Sequence, residues 1–189
     1  PIALIFGLLS FVSYLVEGAV GDWSALYLLE DKGIVIEEAV MGVMLFNGTM
    51  CIGRLLGNRL GKHLTSKQVV VGGYLLGSIA MGLIVFLPGH ASMYTYLLLG
   101  ISLAMIVPNL FSAMGEQNVI PMTQAVATST MLGYMGILMG PALIGFIAHG
   151  TSLTVAFIVL TTLLVVSAGI GKYAYHLMSK DCGLSEEQI

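Results

Sequence analysis

Two carboxylates, Glu17 and Asp22, stand inside the run EGAVGDWSALYLL at residues 17–29, which is otherwise apolar enough to cross a membrane. A carboxylate near a bilayer centre costs roughly 2.5–3.5 kcal/mol on insertion scales, so it faces a bundle interior or a water-filled cavity and marks a pathway. Glu17 therefore suits proton coupling or contact with a polar substrate, and protonation lowers the cost of closing a cavity around it. The alternative is a structural carboxylate hydrogen-bonded to a neighbouring helix. On a helix, Ser10, Ser13, Glu17, Gly21 and Ser24 recur every three or four residues as a polar-to-small stripe that either lines a cavity or packs on a neighbour. Asp22 falls about 7.5 Å further along the axis and about 140° round it. That separation moves it, with Trp23, toward the outer boundary as a gate or anchor.

The run GRLLGNRLGKHL at 53–64 holds a second set of candidates. Gly53, Gly57 and Gly61 recur every four residues and let another backbone approach closely. Arg54 and Arg59 are expected at the cytoplasmic boundary, where they either serve topology alone or act in gating by donating to helix-end carbonyls or pairing with an acid. Asn58 stands between them. Asn47 and Asn109 are each candidates for substrate contact or an interhelical hydrogen bond, and Pro108 beside Asn109 predicts a kink in its helix. Gly136, Gly140, Pro141 and Gly145 form a small-residue seam for packing and bending, with Tyr134 next to it as a cavity-facing donor.

Other chemistry is poorly served. His63, His90, His149 and His176 all lie at expected helix ends and form no HxxxH or HExxH pair, and no G-x-S-x-G elbow occurs. An enzyme is not expected, nor a cofactor or metal. Met41, Met44, Met131, Met135 and Met139 read as adaptable packing rather than a metal track. Cys51 and Cys182 have no metal or redox spacing.

The elements that must hold these residues follow from composition. Across 189 residues the chain is 57% hydrophobic and 9% charged, against about 25% charged in a soluble domain. This pattern predicts an integral membrane protein, and the net charge of −3 without a basic patch gives no sign of a nucleic-acid partner. Six apolar runs lie near 2–29, 39–57, 67–87, 93–114, 124–148 and 153–176. Each is close to the roughly 20 residues of a spanning helix, and lipid offers the backbone no partners, so an all-α protein of six transmembrane helices is expected over 1–178. A polar cytoplasmic tail is expected at 179–189. Arg54, Arg59, Lys62 and Lys67 flank the second connection, while Lys172 and Lys180 stand near the C-terminal end. Only Lys32 falls on the other side, so both ends of the segment are expected to be cytoplasmic. The opening run has neither a basic flank nor a small-residue cleavage site. It begins with Pro1 rather than Met, which suggests a piece of something longer.

The residues 53–62 resemble the loop between the eighth and ninth helices of the major facilitator superfamily, generically G-R-x-x-G-D-R-x-G-[KR]. Asn58 replaces the usual Asp, which removes a negative charge and keeps hydrogen-bonding capacity. EGAVGDWSALYL is similar to the seventh helix of a bacterial fucose-permease-like branch, E-G-A-x-x-D-W-S-A-x-Y. VPNLFSAMG, GYMGILMGPALIGFIA and LTVAFIVL resemble pieces of the tenth, eleventh and twelfth helices. The resemblance implies helices 7–12, the carboxy-terminal half of a twelve-helix transporter of the inner membrane, whose missing N-terminal six-helix half completes a midplane site. It also implies a sugar-like small polar substrate moved with protons, a symport. The runner-up readings are an exporter of amphiphilic compounds or drugs, and a stand-alone six-helix module that homodimerises.

Overall fold

A backbone surrounded by hydrocarbon must satisfy its own hydrogen bonds, and in the computed structural model every apolar run is helical. The structure describes residues 2–60, 64–116 and 121–182. It comprises α1 (Ile2–Glu30), α2 (Ile36–Leu60), α3 (Ser66–Phe86), α4 (Gly89–Ala104), α5 (Ile106–Glu116), α6 (Met122–Gly150) and α7 (Leu153–Cys182), with no strand among the described residues. Six stretches are long and apolar enough to cross a membrane, α4 and α5 together making the fourth. The chain is an all-helical, multi-pass membrane protein.

Local chemistry sets the helix ends. Thr65 and Gln68 form a reciprocal capping box at the start of α3, which satisfies two otherwise orphaned donors. Pro88 precedes α4, and Gly89 at φ +48° makes the tight turn there, a conformation that a side chain would oppose. Gly33 does the same at φ +67° between α1 and α2. Lys32 in that connection donates to the carbonyls of Val85 (2.6 Å) and Leu87 (2.9 Å) at the end of α3. A cation suits the negative end of a helix dipole.

The fourth span is interrupted near its middle, as the Pro108 reading expected. The helix breaks at Met105, and Pro108 sits in the first turn of α5. The cause is local: Pro108 has no N–H to give the carbonyl of Ala104, so a continuous ladder fails at that turn. The next carbonyl, that of Met105, accepts both the Asn109 backbone N–H at 3.2 Å and Asn109 Nδ2 at 2.8 Å. α7 also runs past the expected end of the last span, to Cys182.

α1 lies at the centre and packs on α2, α4, α5, α6 and α7, while α3 packs on α4, α5 and α7. The closest pairing is α1 with α6, and glycine makes it possible. A Cβ at Gly136 or Gly140 would run into the carbonyls of Phe11 and Leu15, and one at Gly18 would stand 2.8 Å from the carbonyl of Ile137. On the α2–α4 side, Gly53 faces Ala104 and Ile101 and Gly57 faces Met105, so these glycines seat α2 against the helix break. The buried core includes Phe6, Val16, Tyr27, Phe46, Tyr74, Tyr96 and Phe157. Tyr27 stacks on Phe157 with centroids 4.3 Å apart.

Candidate functional site

Glu17 stands thirteen residues before the end of α1 at Glu30, about 20 Å along the axis. Arg54 stands eighteen residues into α2, about 27 Å from the same side of the bundle. The Arg54 Nη2 nevertheless reaches the Glu17 Oε1 at 2.9 Å. Arg54 was expected near the helix boundary, either for topology alone or paired with an acid, and the structure gives it an acid, since the carboxylate offers its guanidinium a charge-assisted hydrogen bond. The side chains remain 43% (Arg54) and 18% (Glu17) exposed. A charge pair this deep and this open lies on a face that the six helices do not cover.

One turn before Glu17, Tyr14 stacks on Tyr134 of α6, with the rings parallel to within 7° and 6.5 Å between centroids. Gly133 makes room for it, since a Cβ there would stand 2.6 Å from the Tyr14 ring. Tyr134 itself is 67% exposed. On α2, Asn47, Cys51 and Arg54 follow at spacings of four and three and are all exposed, so they share one face. The Asn47 amide donates to its own Val43 carbonyl at 3.0 Å, leaving its oxygen as an acceptor. α6, α1 and α2 thus present a continuous strip: a tyrosine pair, a carboxylate, a guanidinium, a thiol and an amide.

The serines of the α1 stripe do not belong to this strip. Ser10, Ser13 and Ser24 are buried, and Ser13 is hydrogen-bonded at 2.8 Å to the Tyr74 hydroxyl, which donates to the Leu9 carbonyl at 2.7 Å. Of that stripe only Glu17 and Gly21 reach the open face or the surface, so it packs rather than lines a cavity along most of its length. Asp22 is exposed, whereas Trp23 turns into the α1–α6 seam and donates its indole N–H to the Pro141 carbonyl at 3.0 Å. Gly145 leaves space for that ring, a Cβ there standing 2.9 Å from it. Asn109 accepts from Ser66 Oγ at 3.3 Å, which ties α5 to the start of α3 and away from the strip. Gly61 lies outside the described residues, as do the side chains of Asn58 and Arg59 and the tail from residue 183.

Tyr14 and Cys51, neither of them a candidate from the sequence, share the strip. Helical spacing from Glu17 and Arg54 would have found both. The Glu17–Arg54 pairing itself depends on the register between two helices, which no single-helix pattern encodes.

Six helices long and apolar enough to span a membrane, with a charged pair on an open face, define a multi-pass membrane protein. The relatives narrow the class. The chain is 41% identical over 168 residues to an uncharacterized MFS-type transporter of Yersinia pestis, which takes in 87% of this chain and 43% of that protein. It is 30% identical over 170 residues to the membrane protein MosC of Rhizobium meliloti, covering 88% of this chain and 42% of MosC. It is also 28% identical over 159 residues to an uncharacterized transporter of Sinorhizobium fredii. No family model matches. The chain spans less than half the length of these curated relatives, a proportion consistent with one six-helix half of such a transporter.

Proposed function

We propose that this chain is the carboxy-terminal half of a major facilitator superfamily transporter of the fucose-permease-like branch, which moves a small, sugar-like polar solute together with protons by alternating access. One observation carries the reading: the Glu17–Arg54 pair lies deep in the membrane region on an uncovered face, beside the Tyr14–Tyr134 stack. Aromatic faces suit the apolar side of a sugar ring, and the carboxylate, guanidinium and Asn47 amide suit its hydroxyls. The missing half supplies the opposite wall, and substrate sits between the two. Lys and Arg placement supports an inner-membrane setting with both ends of the segment cytoplasmic.

Proton coupling assigns two states to Glu17. Ionised, it holds Arg54; protonated, it releases Arg54 to the solute and leaves less charge to enclose. Glu17→Gln in the full-length protein is expected to keep solute binding and lose accumulation driven by a pH gradient. Unchanged pH-driven uptake would remove the coupling role.

A second reading, export of amphiphiles, is favoured by the exposed methionines of α2 and α6, including Met44 and Met131, since flexible thioethers adapt to apolar cargo. Thermal-shift measurements on the full-length protein with sugars against lipophilic cations separate the two, because a bound ligand raises the apparent stability of the native state.

A further inference from the structure

The exposed side of α7 changes character along its length. Ile158, Val165, Val166 and Tyr173 are exposed large apolar side chains, and Lys172, His176 and Lys180 follow as an exposed ladder at intervals of four. At 100° per residue all seven lie within about 60° of the direction of Gly169, so they form one face. Gly169, Lys172, Tyr173 and His176 line a groove of about 380 Å³. The groove is open at Gly169, where a Cβ would meet nothing within 4 Å. The opposite side of the helix is occupied, with Gly171 packed against Val70 and Val71 of α3. This face belongs to a helix that takes no part in the strip on α6, α1 and α2.

An apolar strip that ends in a groove lined by Lys172 and His176, with Lys180 one turn beyond on the same face, is complementary to a molecule with fatty chains and an anionic head. We infer that the groove is a binding site for one anionic phospholipid. Its phosphate lies between Lys172 and Lys180, its glycerol region passes over Gly169 beside Tyr173, and an acyl chain runs along Val165 and Val166. Lysines placed for topology alone attract the membrane surface diffusely. They have no use for the open space at Gly169.

The site is tested on the purified full-length transporter by native mass spectrometry with phosphatidylglycerol, phosphatidylcholine or inorganic phosphate as the probe. Phosphatidylglycerol is expected to stay bound where phosphatidylcholine does not, and inorganic phosphate at equal concentration is not expected to displace it. Lys172→Gln should weaken retention about fivefold, the worth of one lysine at an anionic surface. Gly169→Leu, which fills the groove, should weaken it comparably while leaving the lipid-free thermal midpoint unchanged. Equal retention of the two lipids overturns the site, as does displacement by inorganic phosphate or an effect in only one of the two variants. The result does not depend on what solute the transporter carries.

Discussion

At the scale of single residues, the pairing of Glu17 with Arg54 makes each the condition for the other. Arg54→Gln leaves a carboxylate deep in the membrane region without its cation, which costs more than the bond itself was worth. The expected result is loss of transport together with a lower melting temperature in detergent, and a variant with both Glu17→Gln and Arg54→Gln should recover part of the stability but not the transport. Tyr74 sets a purely structural comparison. Its hydroxyl joins α3 to α1 through Leu9 and Ser13, so Tyr74→Phe should cost about 1–3 kcal/mol by leaving buried groups unpaired. Differential scanning fluorimetry of the full-length protein would measure it. Glu17 was legible in the sequence because an acid in an apolar run has few bland explanations. The role of Arg54 stayed open between topology and pairing with an acid, because basic residues near a helix end follow the topology rule whether or not they also find a partner.

At the scale of elements, glycine decides how near α6 comes to α1. Gly140→Ala places a methyl group against the Leu15 carbonyl, and backbone cannot give way as a flexible side chain does. An overpacking cost of about 1–3 kcal/mol is expected, whereas Gly21→Ala on the open side of α1, where a Cβ meets nothing within 4 Å, should cost little; comparing their melting temperatures checks the seam. The existence and number of spanning helices were readable from the length of the apolar runs, since hydrocarbon leaves the backbone no other choice. The interruption of the fourth span was readable from Pro108, and it falls at Met105 because a proline disrupts the ladder at a carbonyl four residues earlier. In the α1–α2 connection, burial pulls the Lys32 ammonium below the usual lysine value of 10.5, and Asp31 opposes the shift. The folded state thus binds fewer protons than the unfolded one just below that value, so this group makes stability rise with pH there. Lys32→Met should flatten that part of a melting-temperature profile.

At the scale of the whole molecule, the open strip only makes sense with something opposite it. Cys51 reports on this without disturbing the charged pair, since its exposed thiol shares the face of Asn47 and Arg54. In full-length protein in membranes, Cys51 should react with a water-soluble maleimide, and transported solute should slow that reaction several-fold. No labelling with or without solute would place this face against lipid and remove α2 from the cavity wall. That a second half is needed could be suspected from the orientation and count of the helices. That the Glu17–Arg54 face is left bare was invisible until tertiary packing showed it.

The indole of Trp23 lies bonded across the α1–α6 seam to the Pro141 carbonyl, and it is the chain's single tryptophan. A slide of α6 along α1 must stretch that bond and change the polarity around the ring. With tryptophans elsewhere in the full-length protein replaced, the wavelength of its fluorescence becomes an optical gauge of how the two helices move as solute arrives.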